Sequence, residues 1–385
     1  MMLPDLSNEE IYRYSRHLVI PEVGMEGQRK LKGASILIIG TGGLGSPVAL
    51  YLAAVGIGRI GLVDPDWVDY SNLQRQVIHG TSTVGKQKVE SARLRMLDIN
   101  PAIQVDTYNE RLNSRNALRI AADYDVIVDC SDNFPTRYLS NDVCVLLGKP
   151  NIYGSVYRFE GQASVFYAKE GPCYRCLFPE PPPLDIISTI AEGGVLGILP
   201  GTIGTIQATE ALKFILGIGE LLTGKLLIYN ALDMNFEYVK LRKNPSCKIC
   251  GDHPEITELI DYEEFCGVPS RDHPLEQHNS DLSISPVALH DLIQRGEEVE
   301  LIDIRQPHER QISYIQGSKH IPLDQLSSRL SELDCTKPNI LICRNGEISK
   351  QAIGLLLKAG FSQVKYLEGG INAWAKEVDP SKPIY

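Results

Sequence analysis

Apolar runs alternate with amphipathic stretches through the first 150 residues of the chain. Ser35–Gly40 (SILIIG) is nearly unbroken apolar sequence ending in glycine, the pattern of a short strand buried on both faces. A small-residue helix over Pro47–Val55 follows, then a second apolar strand, Ile60–Val63. Further on the pattern predicts a helix over Val84–Leu97, a strand over Gln104–Tyr108, a helix over Asn116–Ala122 and a strand over Val126–Cys130. Strands alternating with helices at this spacing give βαβ units, hence an α/β fold of Rossmann type with a mainly parallel sheet. Ahead of this block, Asn8–Leu18 reads as a charged helical stretch that ends before Pro21.

Beyond Pro150 the apolar period changes. Ile152–Arg158 and Gln162–Tyr167 alternate as antiparallel strands do, joined by a turn at Phe159–Gly161, and Leu226–Tyr229 and Phe236–Leu241 close the sheet. Between them lie a proline-rich loop, Pro179–Gly194, and an amphipathic helix, Thr202–Leu216. Residues 269–285 turn polar and lose periodicity, which marks a linker between a first domain (1–268) and a second (286–385). The second is a small α/β unit. It comprises helix Pro286–Arg295, strand Glu300–Ile304, helix Leu326–Glu332, strand Asn339–Ile342, helix Ser349–Ala359 and strand Gln363–Leu367.

Composition and charge narrow the possibilities. At 43% hydrophobic and 22% charged, 385 residues can fill two or three globular cores. The formal charge of −10 argues against a nucleic-acid partner, which calls for a basic face. The longest apolar run, Val195–Ile206, is cut by glycines and Pro200 and is too short to span a bilayer; the N-terminus carries no signal-peptide pattern. Nine cysteines, four of them in two C-x-x-C pairs, favour metal and thiol chemistry in a reducing cytoplasm over a disulfide framework.

Candidate chemistry starts at the first strand. Gly40, Gly42, Gly43 and Gly45 form a loop that feeds a helix, so backbone N–H groups and the positive helix end face a phosphate. Asp64 follows about twenty residues on, where an acid commonly holds a ribose hydroxyl. The loop by itself fits NAD as well as other nucleotides. The residues beyond it favour phosphate chemistry. Asn72 and Arg75 lie in SNLQRQ, Lys88 in GKQKVESA, and Asp132 in DCSDN. Displacement at a phosphate needs cations for developing charge and a carboxylate for magnesium, whereas a hydride-transfer site needs a dry slot for nicotinamide. Cys173 and Cys176 in GPCYRC, with Cys247 and Cys250 in NPSCKIC, supply the four thiolates of a closed tetrahedral zinc site. Cys343 stands at a predicted strand end, beneath loop N–H groups and a helix start that would stabilise its thiolate. His253, His273 and His278 have no metal-ligand spacing and read as surface residues.

The stretch GTGGLGS…DPDWVDYSNLQRQ…GKQKVESA…DCSDNFPTRY closely resembles the ubiquitin-activating-enzyme-like adenylyltransferases of the MoeB/ThiF family, over roughly residues 5–265. LIDIRQPHE, IQGSKHIPL, CRNGEIS and LEGGINAW resemble a single rhodanese domain, so the chain looks like the fused, MoeZ-type form of that family. The resemblance implies adenylylation, with ATP and magnesium, of the C-terminal glycine of a ubiquitin-like sulfur-carrier protein ending in Gly-Gly. Conversion to a thiocarboxylate then follows, with Cys343 as persulfide carrier and a cysteine desulfurase as a candidate donor. Such carriers serve molybdopterin, thiamine, tRNA-thiolation and cysteine pathways. The resemblance also implies a homodimer in which Arg16, from the RYxR segment, reaches the partner's ATP phosphates; by itself that segment is an ordinary surface helix. Two positions depart from the pattern. Ile190 stands where relatives often carry a cysteine in the crossing loop, and Ile348, beside Glu347, stands where a rhodanese loop usually has an arginine. A lost cation and an added acid disfavour a dianionic donor such as thiosulfate. An adenylyltransferase with a degenerate rhodanese domain, an NAD-dependent oxidoreductase and a non-catalytic scaffold are the competing readings.

Overall fold

The computed structural model describes residues 3–183, 193–267 and 282–385, in two compact units divided at Ser270. Ile190, His273, His278 and most of the expected linker lie outside the described residues.

The first unit is built on an eight-stranded sheet ordered β3-β2-β1-β4-β5-β6-β7-β8. Strands β1 (Ser35–Ile39), β2 (Arg59–Val63), β3 (Gln104–Tyr108), β4 (Val126–Asp129) and β5 (Asn151–Tyr157) run parallel, while β6 (Glu160–Phe166), β7 (Lys225–Asn230) and β8 (Asn235–Lys240) add antiparallel. Alternation along β1 decides what covers each face. Ile36 and Ile38 pack with Leu44, with Val48 and Leu52 of the helix Gly45–Ala54 that follows it, and with Leu199 and Ile203 of the helix Leu199–Leu216. Leu37 and Ile39 face Ile120, Tyr138 and Val143 on the opposite side. Those two helices of the first face approach so closely that a Cβ on Gly204 would stand 2.6 Å from the Leu44 carbonyl oxygen. The chain leaves β1 toward β2 and β3, then returns to β4 on the other side of β1. That reversal opens a crevice at the carboxyl ends of β1 and β4, the place where α/β sheets bind ligands.

Several expected elements shift. The helix after the glycine loop begins at Gly45 rather than Pro47, inside the loop itself. The helix expected over Val84–Leu97 runs Lys88–Ile99, because Gln87 bridges to Trp67 in extended form. Asn8–Leu18 breaks at Tyr14, whose ring is buried and whose hydroxyl takes a 2.8 Å hydrogen bond from Asn100 Nδ2. Helices Gly24–Gly33 and Phe134–Leu147 have no counterpart in the expected pattern. The second carries legible signals: Asn133 caps it, Pro135 sits in its first turn and Gly148 ends it at φ +62°.

The second unit is an all-parallel sheet ordered β11-β10-β12-β13-β9, with β9 at Ser283–Ile284, β10 at Glu300–Asp303, β11 at Lys319–His320, β12 at Asn339–Ile342 and β13 at Val364–Leu367. Strands β9 and β11 are two-residue edges too short to show a period. Helices Pro307–Ile312 and Gly370–Glu377 were also not expected, and Leu326–Glu332 resolves into a short helix, Leu323–Leu326, and a 3-10 turn, Leu330–Glu332.

Candidate active sites and metal centre

The glycine loop closes on itself at the end of β1. Gly40 takes φ +90°, and a Cβ on Gly45 would fall 2.0 Å from the Gly40 carbonyl oxygen, so neither position admits a side chain. Gly42 and Gly43 lie under the SNLQRQ segment: a Cβ on Gly43 would stand 3.7 Å from Arg75 Cγ, and one on Gly42 3.5 Å from Gln76 Nε2. Because the helix starts at Gly45, the loop sits at its positive end.

Asp64, the first residue beyond β2, is buried and turned toward this loop. Its Oδ2 accepts from the Thr41 amide at 2.8 Å and the Thr41 hydroxyl at 3.0 Å, and its Oδ1 accepts from the Asp66 amide at 3.0 Å. Lys88 is buried at the start of its helix and its ammonium donates to Asp66 Oδ2 at 2.9 Å. Arg75 is half-buried, its guanidinium 3.4 Å from the Ser71 carbonyl oxygen. Asn72 closes the 3-10 turn Tyr70–Asn72, its Oδ1 accepting from the Asp69 amide at 3.4 Å. Asp132 is exposed on the loop that leaves β4 after Asp129. Arg16 is exposed and makes no ion pair among the described residues. The loop, Asp64, Arg75 and Lys88 thus gather at the ends of β1 and β2, and Asp132 follows the neighbouring strand.

Three side chains at this place were not singled out from the sequence. Gln76 is 5% exposed, and its Oε1 finds no hydrogen-bond partner among the described residues. Its place in SNLQRQ beside Arg75 was the available signal. Arg137 donates to Ser155 Oγ at 2.9 Å and stands 5.5 Å from the ring centres of both Phe134 and Tyr153. Burial opposes its charge, but Tyr153, Tyr174, Asp129 and Asp132 around it raise its pKa above the ordinary value. His79 is buried between Ser91 and Thr41. An orphaned amide oxygen on a side chain that lies beside the glycine loop suits a polar ligand such as a nucleotide.

The four cysteines converge from positions 74 residues apart. Cys173 and Cys247 sulfurs are 3.6 Å apart, Cys176 and Cys250 3.4 Å, Cys173 and Cys176 3.9 Å, and all four lie within 4.8 Å of one another. Ligands about 2.3 Å from a tetrahedral zinc would stand roughly 3.8 Å apart, so the set suits that ion and leaves no vertex for substrate. Mutual contact splits the set without a metal: Cys176 and Cys247 are lowered by the neighbouring thiols while Cys173 and Cys250 are raised, so an ion bound by all four displaces protons.

In the second unit Cys343 follows β12 and is buried, its sulfur accepting from the Gly346 amide at 3.2 Å and the Ser349 amide at 3.4 Å. Ile348 is half-buried and packs against the core cluster that includes Leu341, Cys343 and Ile353. Gly346 takes φ +93° at the head of the helix Glu347–Lys358, which turns the loop amides toward the sulfur.

The ThiF family matches residues 14–249 and the rhodanese-like domain residues 285–377. A probable adenylyltransferase/sulfurtransferase MoeZ of Mycobacterium tuberculosis is 48% identical, covering 99% of this chain and 96% of that protein. The adenylyltransferase and sulfurtransferase MOCS3 of Drosophila yakuba is 44% identical over 99% of this chain and 86% of its own. Among solved structures, E. coli MccB with ATP superposes with a TM-score of 0.56 at 26% identity, over 62% of this chain and 73% of that one. The chain belongs to the ThiF family and, over its full length, to the adenylyltransferase/sulfurtransferases that join a ThiF-family unit to a rhodanese-like domain.

Proposed function

We propose that this enzyme adenylylates the C-terminal glycine of a ubiquitin-like sulfur-carrier protein and then converts the acyl-adenylate to a thiocarboxylate. The observation that carries the reading is the meeting of a helix-start glycine loop with Asp64, Arg75, Lys88 and Gln76 at the sheet's switch point. Asp64 holds the ribose, with lone pairs left on both oxygens. Asn72, Arg75 and Lys88 hold the phosphates, Lys88 exchanging exposed Asp66 for them. Asp132 would hold magnesium, which would offset charge on the triphosphate. Arg16 enters from the second copy of a homodimer. The carrier carboxylate attacks the α-phosphorus in line, the bond to pyrophosphate breaks, and no protein base is required. Positioning and charge stabilisation supply the rate.

Sulfur transfer uses Cys343. Its persulfide, loaded by a protein donor such as a cysteine desulfurase, attacks the acyl carbon and expels AMP. A thiol then cleaves the resulting acyl disulfide, releasing the thiocarboxylate while that thiol and Cys343 are oxidised to a disulfide. Loop amides already aimed at the Cys343 sulfur suit an anionic persulfide. A core-packed Ile348 gives a small dianion no cation, which favours a protein donor. The four cysteines would hold zinc as a structural ion that ties the segment around Cys247 and Cys250 back to the one around Cys173 and Cys176.

The test is intact-mass spectrometry of candidate Gly-Gly carriers incubated with enzyme, ATP, magnesium and a persulfide donor, beside Cys343→Ala. Thiocarboxylate formed by the wild type and absent with the variant is the expected result. Acyl-adenylate without sulfur product from the wild type would restrict the activity to adenylylation. No carrier modification would favour a scaffold.

A further inference from the structure

His79 lies three residues beyond SNLQRQ, and no step of the proposed reaction uses it. It is 7% exposed, and both ring nitrogens are engaged: Nε2 stands 3.1 Å from the Thr41 carbonyl oxygen and Nδ1 2.9 Å from Ser91 Oγ. A carbonyl oxygen only accepts, so Nε2 carries the proton. Burial lowers the pKa of the ring, which is therefore neutral, and Nδ1 accepts from the Ser91 hydroxyl. One tautomer is fixed by its surroundings.

Thr41 is the residue on which these bonds converge. It is fully buried within the glycine loop. Its amide and hydroxyl both donate to Asp64 Oδ2, and its carbonyl receives the His79 proton. The relay Ser91–His79–Thr41–Asp64 therefore ties the helix Lys88–Ile99, the segment after SNLQRQ, the glycine loop and the end of β2 into one hydrogen-bonded chain. A buried carbonyl deprived of its donor would rotate toward another partner, turning the Thr41–Gly42 peptide and displacing, through the shared Thr41 Cα, the amide and hydroxyl that donate to Asp64.

We propose that His79 is a positioning residue that locks Thr41 by its carbonyl, and through the Thr41 amide and hydroxyl the Asp64 carboxylate, into the geometry that receives the nucleotide's ribose. The inference rests on the assignment of Asp64 to the ribose. His79 touches no substrate atom; it acts through Thr41. Glutamine at this position keeps a donor at nearly the reach of Nε2, whereas phenylalanine keeps the ring and loses the donor.

The experiment measures ATP dissociation constants by calorimetry for the full chain, with ATP and its 2′- and 3′-deoxy analogues, alongside pyrophosphate exchange. Loss of one buried hydrogen bond predicts about tenfold weaker ATP binding in His79→Phe, with kcat for exchange within about twofold. His79→Gln recovers most of the affinity, and the preference for ATP over the deoxy analogues shrinks in His79→Phe alone. Unchanged affinity in His79→Phe, or equal losses in both variants, overturns the proposal, as does a wild type that prefers neither ATP nor its analogues. If His79→Phe fails to fold, Ser91→Ala frees the tautomer and is expected to weaken ATP binding a few-fold; wild-type affinity there overturns it. A wild type that binds ATP with ribose selectivity yet exchanges no pyrophosphate overturns the adenylylation reading and leaves the positioning role to the affinity series.

Discussion

Arg175 and Asp142 form a buried ion pair that ties the four-cysteine cluster to the helix Phe134–Leu147. The Arg175 Nε lies 2.9 and 3.1 Å from the two Asp142 oxygens and Nη2 lies 2.8 Å from Oδ2, with Tyr262 donating to the same oxygen at 2.8 Å. The guanidinium is held between the rings of Tyr138 and Phe265, 4.8 and 4.6 Å from their centres. Arg175 sits between Cys173 and Cys176 of that cluster in sequence. Asp142 sits in the helix Phe134–Leu147, which begins just after Asp132.

Breaking that pair leaves an unmatched charge away from water. Arg175→Met and Asp142→Ala are each expected to cost about 3–5 kcal/mol, while the double replacement costs less than their sum. Urea unfolding of the metal-loaded chain, read by far-UV dichroism, checks this. Strict additivity would count against the pairing.

Metal binding by four thiols should release protons. The zinc affinity is therefore expected to rise with pH until the thiols are ionised, and chelation to lower the unfolding temperature. Metal content measured by plasma emission should be stoichiometric in the wild type and lost in Cys247→Ser. A metal-free wild type of unchanged stability would remove zinc from the account.

Arg75 and Asp132 are not core residues, so their loss should spare the fold. Arg75→Ala and Asp132→Ala are each expected to lower pyrophosphate exchange by about a hundredfold or more, with melting temperatures near wild type. Exchange at the wild-type rate in either variant would sink that residue's assignment.

Burial holds the His79 pKa below its unfolded value of 6.5, with the Thr41 contact and Asp64 working the other way and Lys88 reinforcing the shift. Between the two values the unfolded chain binds more protons. Stability is then full above pH 6.5 and declines as pH falls from there toward the folded-state value. Melting curves from pH 8 to 5 should show a shallower acid-side decline in His79→Gln than in the wild type. Identical slopes would exclude the contribution.

The α/β class, the parallel start of the sheet and its antiparallel extension were legible because hydrophobic period is local: β1, β2 and β4 are short apolar runs bounded by turns. Individual glycines and the paired cysteines were legible for the same reason, since loop and knuckle spacings are written in consecutive residues. Tertiary structure decided the rest. Tyr14 breaks a continuous helical pattern because its hydroxyl must reach Asn100, 86 residues away. The two C-x-x-C pairs become one four-sulfur cluster only when the fold brings together segments 74 residues apart. Gln76 and His79 look like neighbours of a motif in sequence, and only burial against Gly42 and Thr41 gives them work to do. Ile348 reads as a missing cation in sequence, and in the structure it is a half-buried side chain packed against the core, while backbone amides face the Cys343 sulfur. Sequence carries period and spacing; hydrogen bonds across long separations depend on which strands the fold sets side by side.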